Sequence, residues 1–235
     1  MTAPAGVLDE AGHARVEPAV VARSLYRFFR SGEEETLALQ GVSLVVAPGE
    51  LVAVVGPSGS GKSTLFACLA GLDEPDGGSV MIAGQRMSHQ PEPVRTRIRA
   101  GRIGTLAQSG NLFEHLTVRA NLAFARAMAP TGLAGDGREL LAAVGIAGRA
   151  EAYPSELSGG ELARAGLAVA LANDPAVLLA DEPTGELDSV SESRLVDLLQ
   201  LVARAGTAVL VASHSPVVAG CADRIIRLDD GRVSA

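Results

Sequence analysis

Five apolar residues, Leu51-Val52-Ala53-Val54-Val55, run without a break into Gly56-Pro57-Ser58-Gly59-Ser60-Gly61-Lys62-Ser63-Thr64, and a helical stretch from Leu65 to Ala70 follows. Strand, glycine loop and helix in that order form a phosphate-binding loop. Glycines let backbone N–H groups converge on phosphate oxygens without a Cβ in the way, and the helix presents its positive dipole end to the same anion. Lys62 adds a point charge for the terminal phosphates, and the Ser63 hydroxyl is placed to ligate Mg²⁺. The alternative, an ordinary glycine turn between strand and helix, does not require the Lys-Ser-Thr ending.

Other short β-branched runs, 177–180, 207–211 and 224–228, alternate with segments of helical period. That rhythm predicts an α/β fold with a mainly parallel sheet. Two stretches depart from it. Residues 19–47 alternate apolar and polar in two runs split by Ser31-Gly32-Glu33, as an antiparallel β layer would. The stretch from about 117 to 172 is Ala/Leu-rich, and its first part reads as an inserted α-helical subdomain, roughly 109–165. Residues 1–18 read as a flexible leader and 19–235 as one domain.

Composition removes several classes. No run approaches the roughly 20 uninterrupted apolar residues of a membrane-spanning helix, and residues 1–17 lack the apolar centre of a secretory signal. A cytoplasmic chain is expected. The net charge of −7 argues against a nucleic-acid partner, whose phosphate backbone needs a face rich in Lys and Arg. Cys68 and Cys221 show no metal-ligand spacing, and both are expected as buried small hydrophobes.

A second apolar run, Ala176 to Ala180, ends in Asp181-Glu182-Pro183. Ligands of open α/β sheets sit at the carboxyl ends of parallel strands, so this end belongs beside the phosphate loop. Asp181 is then suited to the Mg²⁺ shell, and Glu182 to polarising a water that attacks a γ-phosphate. Alone, the pair could equally be a helix N-cap after a strand.

Between the two lies Leu157-Ser158-Gly159-Gly160-Glu161, and with it the chain resembles the nucleotide-binding domains of ABC transporters, whose signature is LSGGQ or LSGGE. The resemblance runs from about residue 19 to the C-terminus and implies a P-loop NTPase core of RecA-like type. It implies that ATP is sandwiched between the phosphate loop of one copy and Ser158, Gly159, Gly160 and Glu161 of another, in a homodimer that forms on ATP binding. It also implies roles for single residues. Gln108 resembles the glutamine that contacts Mg²⁺ or the attacking water, and Asp188, in Gly185-Glu186-Leu187-Asp188, resembles the acidic residue at the dimer seam. His214 resembles the switch histidine at the γ-phosphate. An aromatic that stacks on adenine is expected as Phe29, with Tyr26 second. Three positions depart from the family pattern: Ala107 stands where an aromatic is commoner, the signature ends in Glu161, and Ser215 replaces the usual Asp after His214. None removes a group the chemistry needs.

Phe29-Arg30-Ser31-Gly32-Glu33, the signature and Ala180-Asp181-Glu182-Pro183-Thr184-Gly185 are similar to the lipoprotein-releasing and macrolide-export group. This implies an ATP-hydrolysing subunit that powers export or mechanotransmission by a transmembrane permease, peripheral on the inner face of the cell membrane. Leu112, Phe113, Leu116 and Leu122 are expected to form the apolar surface that receives the permease. A soluble ABC ATPase is disfavoured, since the chain carries one cassette where the ribosomal type has two and lacks the long heptads of the DNA type. A P-loop kinase or GTPase is disfavoured by the signature and by the absence of Asn-Lys-x-Asp.

Overall fold

A computed structural model describes residues 17–31, 34–129 and 137–234. Residues 1–16 of the expected leader, and Gly32 and Glu33 of the expected turn, lie outside the described residues.

Two sheets organise the chain. Strands β1 (Val20–Ser31), β2 (Glu34–Val46), β4 (Gly77–Ile82) and β5 (Gln85–Arg86) make an antiparallel layer in the order β2-β1-β4-β5. The six-stranded sheet has the order β10-β9-β3-β8-β7-β6. Its strands are β3 (Leu51–Val55), β6 (Ile103–Ala107), β7 (Val177–Asp181), β8 (Ala208–Ala212), β9 (Arg224–Asp229) and β10 (Arg232–Ser234). All pairs are parallel except the terminal β9–β10 hairpin. The fold is the one expected, an α/β P-loop architecture with an antiparallel layer.

The central strands β3, β7 and β8 are apolar almost throughout because both faces of the sheet are covered there, whereas β9 and β6 nearer the edges carry exposed polar residues. Alternate residues divide between two cores. Val52, Val54, Leu179 and Leu210 join helix α1 (Lys62–Leu69) and the antiparallel layer through Leu65, Leu69, Leu25 and Leu39. Leu51, Ala53, Leu178 and Val209 join the opposite core, with Leu167 of α5 (Gly159–Ala170) and Leu195 and Leu199 of α6 (Ser189–Arg204). The phosphate loop therefore emerges from a strand packed on both sides and enters a helix anchored in the first core.

Helix α2 (Glu92–Arg102) precedes β6, and α7 (Pro216–Cys221) precedes β9. Between β6 and β7 lie α3 (Val118–Ala127), α4 (Arg138–Ala143), 3-10 turns at Ala147–Arg149 and Pro154–Glu156, and α5. Thr117 caps α3 by accepting from Ala120 N, and Asn121 bridges back to the carbonyls of Phe113, Leu116 and Thr117.

Two expectations need correction. Leu112 and Leu122 are not surface residues: both are buried in the second core, because the segment after Gln108 folds back onto α5. Leu116 is half-buried, whereas Phe113 is exposed and meets Phe124 edge-on, with ring centroids 5.1 Å apart. Cys68 is buried, which pushes its thiol up to about 12, but Cys221 is only partly buried, at the margin of the second core.

Candidate ATP site

The carboxyl ends of β3, β7 and β8 deliver their following residues to one cleft of about 700 Å³. Its wall includes Gly56, Pro57, Ser58, Gly59, Gly61, Lys62, Ser63 and Thr64, together with Gln108, Glu182 and His214. Strands β3, β7 and β8 are neighbours in the sheet, so three residues distant in sequence meet there.

The loop's shape depends on missing side chains. A Cβ on Gly56 would stand 2.0 Å from the Leu228 carbonyl oxygen, and one on Gly61, at φ +100°, 2.4 Å from that of Ala38. Both obstacles are backbone. Lys62 is buried and its Nζ donates to the carbonyls of Gly56 (2.8 Å) and Pro57 (3.0 Å), which holds the ammonium inside the loop. Ser60 is buried, with its Oγ free of hydrogen bonds.

Of the acidic pair, Glu182 lines this cleft, whereas Asp181 lines a separate hollow that shares Ser63 with it. Asp181 Oδ1 is buried without a hydrogen bond, so a carboxylate oxygen is desolvated with nothing to compensate it. That is the environment a divalent cation satisfies. Glu182 has a positive φ of 48° and its N–H donates to the Ala212 carbonyl at 2.8 Å. A left-handed conformation in a non-glycine residue costs of order 1–3 kcal/mol and persists where surrounding structure enforces it. Here the β7–β8 contact enforces it and turns the side chain into the cleft, where Oε2 lies 2.9 Å from His214 Nδ1 but outside hydrogen-bond geometry, so this buried oxygen, like Asp181 Oδ1, accepts no hydrogen bond. Gln108 Nε2 donates to Glu186 Oε1 at 3.2 Å.

Phe29 lines the cleft, with the Arg27 guanidinium 4.7 Å from its ring centroid. Arg27 is itself held by Asp73 (2.8 Å) and Asp76 (3.0 Å). The Phe28 N–H and then Arg27 keep the Asp76 carboxyl below its usual range. Tyr26 points elsewhere, across Gly41 and Gly77 into a separate hollow with Gln40 and Arg232.

The signature residues do not line this cleft. Ser158 caps α5 and forms a capping box with Glu161, while Gly160 packs so closely on α6 that a Cβ would stand 2.5 Å from Ser191 Oγ. Asp188 caps α6, accepting from Val190 N, Ser191 N and Ser191 Oγ. Signature and Asp188 thus form one continuous surface apart from the phosphate loop.

Residues 39–185, well over half of the chain, match the ABC transporter family. The chain belongs to that family. It is an ATP-binding and ATP-hydrolysing ABC transporter subunit. The lipoprotein-releasing system ATP-binding protein LolD of Ruegeria pomeroyi is 41% identical over 224 residues, covering 93% of this chain and 98% of the relative. The macrolide export ATP-binding/permease protein MacB of Chromobacterium violaceum is 39% identical over 212 residues, covering 89% of this chain and 33% of that longer protein. The dimeric structure of a bacterial ABC transporter cassette matches with a TM-score of 0.85 at 35% identity, covering 92% of this chain and 97% of that one. A post-hydrolysis dimer of such a cassette, bound to ADP and Pi, matches equally well.

The ABC cassette's cleft also uses residues that sequence reading passed over. Thr36, Leu37 and Ala38 of β2 and the turn Asp230-Gly231 complete its wall. Gly231 N donates to the Ser60 carbonyl and Gln40 N to the Gly231 carbonyl, so this hairpin turn braces the phosphate loop against β2. Asp230 and Gly231 both have positive φ, 42° and 71°, the geometry of a two-residue type I′ turn. The Asp-Gly pair after an apolar run was the available signal.

Proposed function

We propose that two copies of this cassette close on two ATP molecules and drive export or mechanical work by a membrane permease on the inner face of the cell membrane. One observation carries the reading. The phosphate loop, Glu182, His214 and Gln108 share a cleft, while the second phosphate-binding turn of the same chain, Ser158 to Gly160, lies outside it. Each turn then serves the nucleotide of the other copy, as the dimeric cassette relative suggests.

Within each sandwich, Phe29 stacks on adenine through the face not occupied by Arg27, a contact of about 1–3 kcal/mol by analogy with base stacking. Phosphate-loop amides and Lys62 hold the triphosphate. Ser63, Asp181 and Gln108 are the residues that would hold Mg²⁺, which would neutralise charge developing on the phosphates. Glu182 accepts a proton from water as its oxygen bonds to the γ-phosphorus and the bond to the β–γ bridging oxygen breaks. His214, beside Glu182, orients that carboxylate and reaches the γ-phosphate. Asp188 lies at the seam between copies.

The permease is received by the inserted helical subdomain, residues 109–165, through the exposed Phe113 and Phe124 rather than through Leu112 and Leu122. The names of LolD and MacB support a permease of the lipoprotein-releasing or macrolide-export type. Among the described residues no helix is long and apolar enough to cross a membrane, consistent with a peripheral subunit.

The test is Glu182→Gln, which keeps size but cannot act as a base, and loss of a positioned base costs about 10²–10⁴ in rate. Size-exclusion chromatography with light scattering should show monomer converting to dimer with Mg-ATP. Hydrolysis at the parental rate would remove Glu182 from the mechanism. A variant that binds ATP and stays monomeric would remove the sandwich.

A further inference from the structure

We infer that Arg149 is a positioning residue of the signature: its guanidinium on Glu161 compensates a carboxylate that would otherwise repel the γ-phosphate bound by the second copy. This inference rests on the sandwich reading above.

A signature ending in Glu contains a contradiction. The turn must attract an anion, and its third helical residue carries one. A carboxylate there saturates part of the positive end of α5, the same field that an incoming phosphate would use. Two anions brought to one turn across an interface repel.

The contacts resolve it. Glu161 Oε2 accepts from Ser158 N and from the Ser158 hydroxyl, each at 3.0 Å, so this oxygen is drawn back over the cap. Oε1 accepts from Arg149 Nε at 2.8 Å. These bonds, the Ser158 amide first and Arg149 next, hold the Glu161 carboxyl at about 2, so it stays ionised and a fixed counter-charge is needed. Arg149 supplies it from another element. Its 3-10 turn is tied to the start of α3, where Val118 N donates to the Ala152 carbonyl and Arg119 N to that of Ala150, both at 2.9 Å. The guanidinium is therefore delivered by the helical segment to the signature.

An ion pair this exposed, with the arginine side chain 51% accessible, contributes little to folding. Its effect belongs where an anion arrives. Arg149→Met should leave the thermal midpoint and the monomer's ATP affinity unchanged, yet weaken ATP-dependent dimerisation in the Glu182→Gln background by about tenfold or more.

The experiment is light scattering across a Mg-ATP titration for Arg149→Met, Arg149→Lys and Arg149→Met/Glu161→Gln, with Ser158→Arg as control. Rescue to within about threefold by the double variant and by Arg149→Lys supports compensation of charge. Parental dimerisation of Arg149→Met overturns the inference. So does a double variant as weak as Arg149→Met, which would mean that Arg149 acts by another route. Dimerisation of the Ser158→Arg control would instead overturn the sandwich itself.

Discussion

The phosphate loop and the signature turn are assembled from the same parts, a glycine-rich turn entering a helix N-terminus, but they stand in opposite conditions. The phosphate loop is enclosed: Lys62 is buried, Gly56 and Gly61 face backbone atoms, and the Gly231 turn braces it. The signature turn is open, with Ser158 and Gly159 exposed and its donor field partly taken by Glu161. An anion site complete within one chain needs its glycines for its own geometry. In the proposed sandwich, the turn completed by a second chain keeps a glycine bare for something outside.

Lys62 separates the two most sharply. Lys62→Ala removes the charge that the loop carbonyls hold in place and should lower ATP affinity by about 100-fold or more, since several charge-assisted contacts go at once. Isothermal calorimetry on the monomer measures it. Unchanged affinity would mean that the enclosed loop is not the primary site.

The glycines sharpen the contrast in stability. Gly56→Ala drives a methyl into the Leu228 carbonyl, which sits in a paired strand and cannot turn aside, so a loss of about 3 kcal/mol or more is expected in urea unfolding. Gly160→Ala meets Ser191 at both Oγ (2.5 Å) and Cβ (2.9 Å), so α6 must give way and the Ser191 bond to Asp188 is disturbed, at a cost of about 1–3 kcal/mol. Gly159→Ala meets nothing nearer than Leu187 Cδ2 at 3.8 Å and, lying in a helix, should be neutral or stabilising by about 0.5 kcal/mol. If Gly159→Ala nevertheless impairs ATP-dependent dimerisation, that glycine serves the partner copy. A large loss of stability in Gly159→Ala would erase the distinction.

Much of this arrangement was legible because local pattern and chemistry coincide. The apolar runs ending at Val55 and Ala180 reported buried parallel strands, and their final residues fell at the carboxyl edge of the sheet where parallel topology gathers ligands. Periodicity could not say which leucines after Gln108 face outward. Leu112 and Leu122 read as a surface patch until the fold-back onto α5 buried them. Nor could it find Thr36 to Ala38, which reach the cleft only because β2 lies beside the β9–β10 turn, or Arg149, whose meaning comes from an ion pair across 12 positions. Tertiary contacts of that kind leave no trace in hydrophobic pattern.

The smallest effect expected concerns acid. At Glu161 hydrogen bonds outweigh the upward push of desolvation, lowering the carboxyl from an ordinary 4.5 to about 2 through the Ser158 amide, Arg149 and the Ser158 hydroxyl. A depressed folded-state value means that the capping box and the Arg149 pair contribute fully above the unfolded-state value of about 4.5 and are lost as pH falls toward 2. Between pH 7 and pH 5 the cap at α5 should therefore be unaffected, and fraying should begin only below pH 4. The enclosed phosphate loop carries no such carboxylate, so its amides should keep their protection over the same range. Carboxyl NMR titration of Glu161 with hydrogen exchange at the bonded amides of Ser158, Glu161 and Ser60 checks both halves. A Glu161 carboxyl that titrates at its ordinary value would show that neither Ser158 nor Arg149 holds it in solution.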